Sequence, residues 1–322
     1  HKEKIHFGRA KLTADSDILV DRDADFTKLN MEERGTLMAH WGEATDAIFD
    51  RKLDQKGGDP NAGVYGVVEV VDEHRLRITP TPKHSSSVSY SIGQFSHFSM
   101  RIANAEFLFL DTRSHRQLHD RRRPLDTNVS MLGPAQKKWL KQKMTSSDAD
   151  FFFVVSSVNL MIPHVNPRRE PNKDEAWTAI AAERNELIEF WDALHKPVFV
   201  LTGDLHNSMA IKITDRVWEF ASGPHNSGNH AAWAESDRPA TGLYKSQGKQ
   251  AFIRWSTHFQ NDSKPRRQPV YTVVQVNNVM NNPIDGRDRW VAYAHPQVVF
   301  QFYNGLTGDL LYAESIVAGA QQ

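Results

Sequence analysis

The stretch VFVLTGDLHNSMAIKI, residues 198–213, decides the expected fold of this chain. Its first part, Val198 to Leu201, is a continuous apolar run of the kind found in strands buried within a parallel sheet. The run ends at Gly203 and is followed at once by Asp204 and His206. Ligands of open α/β sheets gather beyond the carboxyl ends of the strands, so this stretch predicts a functional site as well as a strand.

Asp204 and His206 are two residues apart in an extended turn, and this spacing directs both side chains the same way. Asp offers a hard oxygen ligand and His a borderline nitrogen ligand, a mixture that suits Fe, Zn or Mn and, through the oxygen, Ca or Mg. The alternative interpretation is that Asp204 caps a turn and His206 is an ordinary loop residue, because D-x-H is common by chance.

The order of the surrounding elements favours the first interpretation. Strands are predicted over residues 105–110, 149–155 and 198–201, and helices over residues 132–144 and 175–194. Alternating strands and helices with short links predict parallel strands joined by right-handed crossovers. We therefore expect Asp111, Asn159 and the Asp204/His206 pair along one edge of one sheet.

The composition is that of an ordinary globular protein, with 39% hydrophobic and 24% charged residues over 322 positions. Positive and negative residues balance, so no overall field attracts nucleic acid or an anionic membrane. Cysteine is absent, which excludes disulfides and thiolate metal ligands within this chain. No apolar run reaches the roughly 18 residues that a transmembrane helix needs.

The remaining regions have weaker patterns. A short helix is predicted from Glu33 to Phe49, and the acidic run Asp21 to Asp25 is interpreted as an exposed loop because it lacks the Gly and terminal Glu of a calcium loop. The strands 64–71 and 75–79 predict a hairpin. The last third of the chain, from Phe252 onward, is strand-like.

Six segments together resemble a known family. They are AEFLFLDTRSHR (105–116), LGPAQKKWL (132–140), FFFVVSSVNLM (151–161), LTGDLHNS (201–208), WEFASGPHNSG (218–228) and HPQVVFQFYNGLTGDLLYAES (295–315). In wording and order they resemble the C-terminal half of the PhoD-like (alkaline phosphatase D) family, a branch of the calcineurin-like metallophosphatases. The order of LDTR followed by TGDxH is the most specific part of this resemblance.

The resemblance implies an α/β fold in which the sheet is one layer of a four-layer αββα sandwich, with an N-terminal β-rich insertion and a β-rich C-terminal section. The implied domains are an irregular insertion over residues 1–63, the C-terminal half of a PhoD-like domain over 64–318 and a tail over 319–322. An extracellular or periplasmic location is implied as well. The chain begins without Met or a signal peptide, so we expect either a removed leader or a longer polypeptide.

The resemblance also assigns roles to residues of the site. Asp204 and His206 correspond to the late metal-ligand pair of the family. Asp111 and Arg113 fall on its DTR motif, which we interpret as structural. The implied cofactors are two or more metal ions, Fe and Ca first, with Zn, Mn or Mg as alternatives.

The upstream ligands of the family are missing from this sequence. The family places a Cys or Asp, a G-D-x-x-Y/D motif and an Asn-Asp pair before the DTR strand, and none of these precedes Asp111. Gly58-Asp59 lies in a turn without an apolar strand ahead of it and does not substitute. A binuclear centre needs about six or more ligands. A second chain or a missing N-terminal half is therefore expected to supply the rest.

Two functional hypotheses follow. The first is a metal-dependent phosphoesterase, in which His164 or His225 protonates the leaving group of a phosphate-ester substrate and Asn159 lies near the ligands. Asn159 alternatively serves as a turn residue that hydrogen-bonds its own backbone. The second hypothesis is a non-catalytic scaffold or interaction subunit that retains the sheet without a complete site.

Overall fold

The chain divides into two compact units, His1–Ser96 and His97–Gln322. The computed structural model describes residues 6–31, 34–40, 59–117, 119–164, 175–260 and 267–319. Among these residues, no helix is both long enough and apolar enough to cross a membrane.

The first unit is a closed six-stranded barrel with the strand order β1-β2-β5-β4-β3-β6. Its strands are β1 (His6–Leu12), β2 (Ile18–Val20), β3 (Arg34–Ala39), β4 (Gly63–Asp72), β5 (Arg75–Thr79) and β6 (Ser86–Gln94). Alternate side chains of each strand point inward, and Leu19, Leu37 and Leu76 are fully buried. The predicted hairpin is confirmed as β4 and β5.

The helix predicted from Glu33 to Phe49 is wrong where the structure describes it, since Arg34–Ala39 form strand β3. Leu37 and Ala39 alternate with exposed positions and fill the barrel, so pairing with two neighbouring strands decides the conformation there. Gly35 leaves room for the Phe95 ring, which a Cβ atom at this position would strike. The rest of the predicted helix, from residue 41, lies outside the described residues.

Asp21 also departs from its predicted exposed position. It is 3% exposed, and its Oδ2 accepts a hydrogen bond of 2.7 Å from the Tyr90 hydroxyl. Burial and this carboxylate both raise the pKa of Tyr90 above its usual range. Gly8 permits the pair to approach the backbone, because a Cβ atom there would overlap both side chains.

The second unit contains an eight-stranded sheet with the order β13-β14-β11-β12-β10-β9-β8-β7. Its strands are β7 (Phe98–Ile102), β8 (Ala105–Phe109), β9 (Phe151–Ser156), β10 (Val198–Thr202), β11 (Met209–Lys212), β12 (Val217–Ala221), β13 (Gly242–Ser246) and β14 (Lys249–Ser256). Strands β8, β9 and β10 are parallel, as the alternation of strands and helices predicts, and β12 is a fourth parallel strand. The outer pairs are antiparallel.

Two helices cover one face of this sheet. Helix α1 (Gly133–Ser146) has Pro134 in its first turn and buries Gln136, Leu140 and Met144, which share one face at four-residue spacing. Helix α2 (Ala181–Ala193) begins later than the predicted Glu175, because a short 3₁₀ turn over Trp177–Ala179 precedes it. Both helices pack against the apolar side chains of the parallel strands.

A three-stranded antiparallel sheet covers the other face. It consists of β15 (Val270–Asn281), β16 (Trp290–Asn304) and β17 (Leu310–Val317), which confirms the strand-like reading of the last third. Phe300 stacks on Phe220 with ring centroids 3.5 Å apart and meets Phe199 edge-on. The described residues of this unit thus form three layers: helices, large sheet and small sheet. The four-layer αββα sandwich stays a prediction.

Replacing Phe300 by Ala should lower the free energy of unfolding by about 3–5 kcal/mol, because it removes the ring that joins the two sheets. Chemical denaturation followed by fluorescence would measure this loss. Phe252, which is 40% exposed on β14, provides the control, and F252A should change stability by less than about 1 kcal/mol. Equal losses in the two variants would contradict the packing described above.

Candidate functional site

The four parallel strands end at one edge of the large sheet. Thr202 pairs with Ser156 of β9 on one side and with Ala221 of β12 on the other, and Phe109 of β8 pairs with Val155. The segments that carry Asp111, Asn159, Asp204 and His206 all leave the sheet at this edge. The predicted alignment of these segments is confirmed.

Asp204 occupies the first exposed position after β10. Its backbone is left-handed, with φ at 69°, and the preceding Gly203 accepts a hydrogen bond from the Leu205 amide. Asp adopts the left-handed conformation more readily than most residue types, in which the Cβ atom crowds the backbone. Leu205 is buried and anchors the turn, whereas the Asp204 carboxylate faces solvent. The turn therefore presents an anionic oxygen ligand at the edge.

His206 is held in one tautomer. Its Nδ1 lies 2.8 Å from the carbonyl oxygen of Gly228 and 3.4 Å from the Ser227 hydroxyl. A carbonyl oxygen can only accept, so Nδ1 carries a proton, and in the neutral ring Nε2 is the nitrogen with the lone pair. Metal-binding histidines are commonly oriented by this kind of hydrogen bond from the other ring nitrogen. Sequence reasoning identified the residue but not the loop that orients it.

His230 is a site residue that the sequence analysis did not select. Its ring stacks on that of His206, with centroids 4.3 Å apart and planes 12° from parallel. On another side it meets the ring of His164, with centroids 4.5 Å apart. The predicted candidate His164 is thus close to the Asp204/His206 turn. The other candidate, His225, is exposed on the loop that follows β12.

A network of buried polar side chains supports the turn that carries Asp204 and His206. Glu235 and Arg238 are almost fully buried, and Arg238 donates to the Glu235 carboxylate at 2.7 Å. Asn207 also donates to Glu235, at 2.8 Å, and accepts a hydrogen bond from the Thr257 hydroxyl. Burial acts to raise the pKa of Glu235, but the contacts with His230, Arg238 and Asn207 outweigh it and lower the pKa.

A second buried carboxylate, Glu219 of β12, ties the strand ends together. It accepts hydrogen bonds from the amides of Leu160 and Met161, after β9, and from the Thr202 hydroxyl at the end of β10. Burial raises the pKa of Glu219, while these donors and the charge of Arg184 act in the opposite direction. This single side chain therefore bridges three adjacent strands at the edge.

Asn159 is fully buried beside this bridge. Its Nδ2 donates to the carbonyl oxygen of Ile162, which is the local turn contact of the alternative interpretation. Among the described residues, its Oδ1 has no hydrogen-bond partner. The structure therefore shows a turn role for the amide nitrogen, and the catalytic role stays a prediction.

The DTR motif has structural contacts. Asp111 Oδ1 accepts hydrogen bonds from the amides of Arg113 and Ser114, and the Arg113 guanidinium pairs with Glu175 at 2.6 Å. Burial acts to raise the pKa of Asp111, but the hydrogen bonds from Ser114 and Arg113 outweigh it and lower the pKa. These contacts agree with the structural interpretation of the motif.

The donor set available for a metal is small. Within the ranges that the structure describes, no group of three or more His, Asp or Glu side chains lies close enough to hold a metal ion. Asp204 supplies an exposed carboxylate and His206 a fixed imidazole with its Nε2 lone pair. This pair fits one part of a metal centre and does not complete it.

Arg238→Met should destabilise the protein by about 3–5 kcal/mol, because Glu235 would remain buried without its cation. The pKa of Glu235 is lowered in the folded state, so the ionised carboxylate stabilises the wild-type fold at neutral pH. This stabilisation is lost as the pH falls below the unfolded-state pKa of about 4.3 and through the lowered folded-state pKa. Denaturant unfolding should therefore show the free energies of unfolding of wild type and R238M converging in acid.

Arg254→Met, at a half-exposed ion pair with Glu314, is the control and should change the free energy of unfolding by less than about 1 kcal/mol. A loss for R238M no larger than for R254M would refute the role of the buried pair.

Comparison with known proteins agrees with the resemblance seen in the sequence. The family model for PhoD-like phosphatase matches residues 89–268. A solved structure described as "Structure of PhoD" matches with 17% identity and a TM-score of 0.40, covering 77% of this chain and 47% of that chain. This chain thus spans about half of the length of that structure. No curated protein sequence matches. Since the family model covers more than half of the chain, the chain belongs to the PhoD-like phosphatase family.

Proposed function

We propose that this chain supplies part of the metal site of a phosphoesterase, with Asp204 and His206 as its ligands. The observation that carries the proposal is the fixed tautomer of His206, whose Nδ1 bonds to Gly228 and whose Nε2 keeps its lone pair. The exposed Asp204 carboxylate lies two residues away in a left-handed turn. Membership of a phosphatase family supports phosphate esters as the substrate class.

The ligand types indicate which ions the pair would bind. The Asp204 oxygen suits hard cations and the His206 nitrogen suits borderline ones. We propose Fe and Ca first, as the family resemblance implies, with Zn, Mn or Mg as alternatives. When bound, such ions supply Lewis acidity toward the phosphoryl oxygens and lower the pKa of a coordinated water.

Proton transfer to the leaving group is assigned to a histidine. His164 is the first choice because its ring contacts His230, which in turn stacks on the proposed ligand His206. His225 is the second choice because it lies five residues before His230 on the same loop and is exposed to solvent. Any contact between Asn159 and the metal site would be made by its Oδ1, since its Nδ2 already donates to the carbonyl oxygen of Ile162.

We propose that the other metal ligands come from a second chain or from an upstream segment. Two protein ligands fall short of the roughly six that a binuclear centre needs. An apolar strand face supports such a partner, because Phe98, Met100 and Ile102 of β7 are 50%, 42% and 53% exposed. An extracellular or periplasmic location is part of the same proposal and derives from the family resemblance.

A scaffold or interaction subunit is the second candidate function. It is supported by the shortage of metal ligands, since the described residues contain no group of three acidic or imidazole side chains suited to a metal. Retention of the Asp204/His206 turn and its buried support weighs against it. The two candidates differ in whether a partner polypeptide carries the missing ligands.

Peptide mass mapping of every band in the purified material separates these candidates. A second polypeptide, or an extension of this one, that contains G-D-x-x-Y/D and an Asn-Asp pair would support the phosphoesterase. Material that contains only these 322 residues and hydrolyses neither a phosphate monoester nor a diester would favour the scaffold.

Asp204→Asn should abolish phosphoesterase activity and deplete bound metal, because it replaces an anionic ligand by a neutral amide of the same size. Stability should change by less than about 0.5 kcal/mol, since the side chain is exposed. Hydrolysis of a chromogenic phosphate ester, elemental analysis and thermal unfolding would measure these effects. Asp285→Asn is the matched control, because Asp285 is also exposed and left-handed but lies in the turn between β15 and β16. Full activity of D204N would refute the ligand assignment.

A further inference from the structure

The ring of His206 needs more than one contact to hold its direction. The hydrogen bond from Nδ1 to the Gly228 carbonyl oxygen fixes one ring atom. The ring plane can still rotate about this hydrogen bond. A flat ring stacked against one face removes this freedom. His230 supplies such a ring, at 4.3 Å and 12° from parallel.

His230 is itself restrained from its far side. Its Nδ1 lies 3.5 Å from Glu235 Oε1, which is longer than an ordinary hydrogen bond. Glu235 cannot move toward solvent, because it is fully buried and bonded to Arg238 and Asn207. The fixed carboxylate therefore limits how far the His230 ring can move toward it.

The same segment restrains the backbone of the turn. Asn229 donates to the carbonyl oxygen of His206 at 3.0 Å, and Asn207 donates to that of His230 at 3.1 Å. The backbone of the turn is thus held by hydrogen bonds from Asn side chains. The ring of His206 is instead stacked against His230. Removing the His230 ring should disturb the imidazole while leaving the turn in place.

We propose that His230 is a positioning residue, whose ring holds the imidazole of His206 in the orientation that presents Nε2 to a metal ion. The proposal rests on the proposed function only in taking a metal ion as the group that Nε2 meets. Sequence position gave no sign of this role, because His230 follows the TGDLH stretch by more than twenty residues.

Two variants of similar volume isolate the stacked ring. His230→Phe keeps a flat ring and loses the contact with Glu235, whereas H230L keeps bulk and loses the flat ring. Imidazole ¹⁵N shifts of His206, recorded without metal at pH 8, report how firmly the proton stays on Nδ1. Zn²⁺ titration by calorimetry on the same purified material reports the affinity.

We expect wild type and H230F to show one His206 tautomer and similar Zn²⁺ affinity. H230L should show mixed tautomers and an affinity about 10–100-fold weaker, the range found when residues that orient metal ligands are removed. Thermal unfolding should show that both variants fold. Equal behaviour of H230F and H230L, whether both resemble the wild type or both lose the orientation, would overturn the assignment to the stacked ring.

Failure of the proposed function gives a different result. If wild-type protein takes up no Zn²⁺, the metal assignment of Asp204 and His206 loses its support, and the imidazole shifts still decide whether His230 orients His206. The exposed Asn226 lies on the same loop and provides a control, since N226A should leave both the tautomer and the affinity unchanged.

Discussion

The parallel pairing of β8, β9, β10 and β12 is the constraint on which the site depends. It brings three separate chain segments to one edge of the sheet, and it also leaves polar backbone groups at the point where those segments emerge. Buried polar groups require partners. Glu219 supplies them for the segment after β9, and its bond to Thr202 joins that segment to β10. The geometry of the edge therefore rests on a buried carboxylate as much as on apolar packing.

A second buried carboxylate, Glu235, satisfies polar groups beside the turn that carries Asp204 and His206. Glu235 connects Asn207, which follows His206 directly, with Arg238 and with the side of His230. Neither Glu235 nor Arg238 is positioned to reach a substrate, because both are buried. Their effect is to bind the residue after His206 to the loop segment that follows His230 through buried hydrogen bonds. Rigid support of this kind is what a metal ligand requires to keep its direction.

The sequence predicts the parallel strands well because a doubly buried strand leaves a strong local mark, as in FFFVV over 151–155 and VFVL over 198–201. Asp204 and His206 could be selected because they follow such a strand. His230 and Glu235 could not, because their contacts with His206 and Asn207 join segments more than twenty residues apart. Arg238 pairs with Glu235 three residues before it, but no local pattern indicates that the pair is buried. Strand β3 was missed for the same reason: Gly35 and Leu37 are decided by barrel partners and not by their own periodicity.

The proposed ligands differ from the residues that support them in their exposure to solvent. The supporting groups Glu219, Glu235 and Arg238 are buried and satisfied within this chain. Asp204, by contrast, is exposed and has a left-handed backbone, which Asp adopts more readily than most residue types. The edge thus combines buried, satisfied support with an exposed carboxylate, and the phosphoesterase proposal adds further ligands from outside the chain to it.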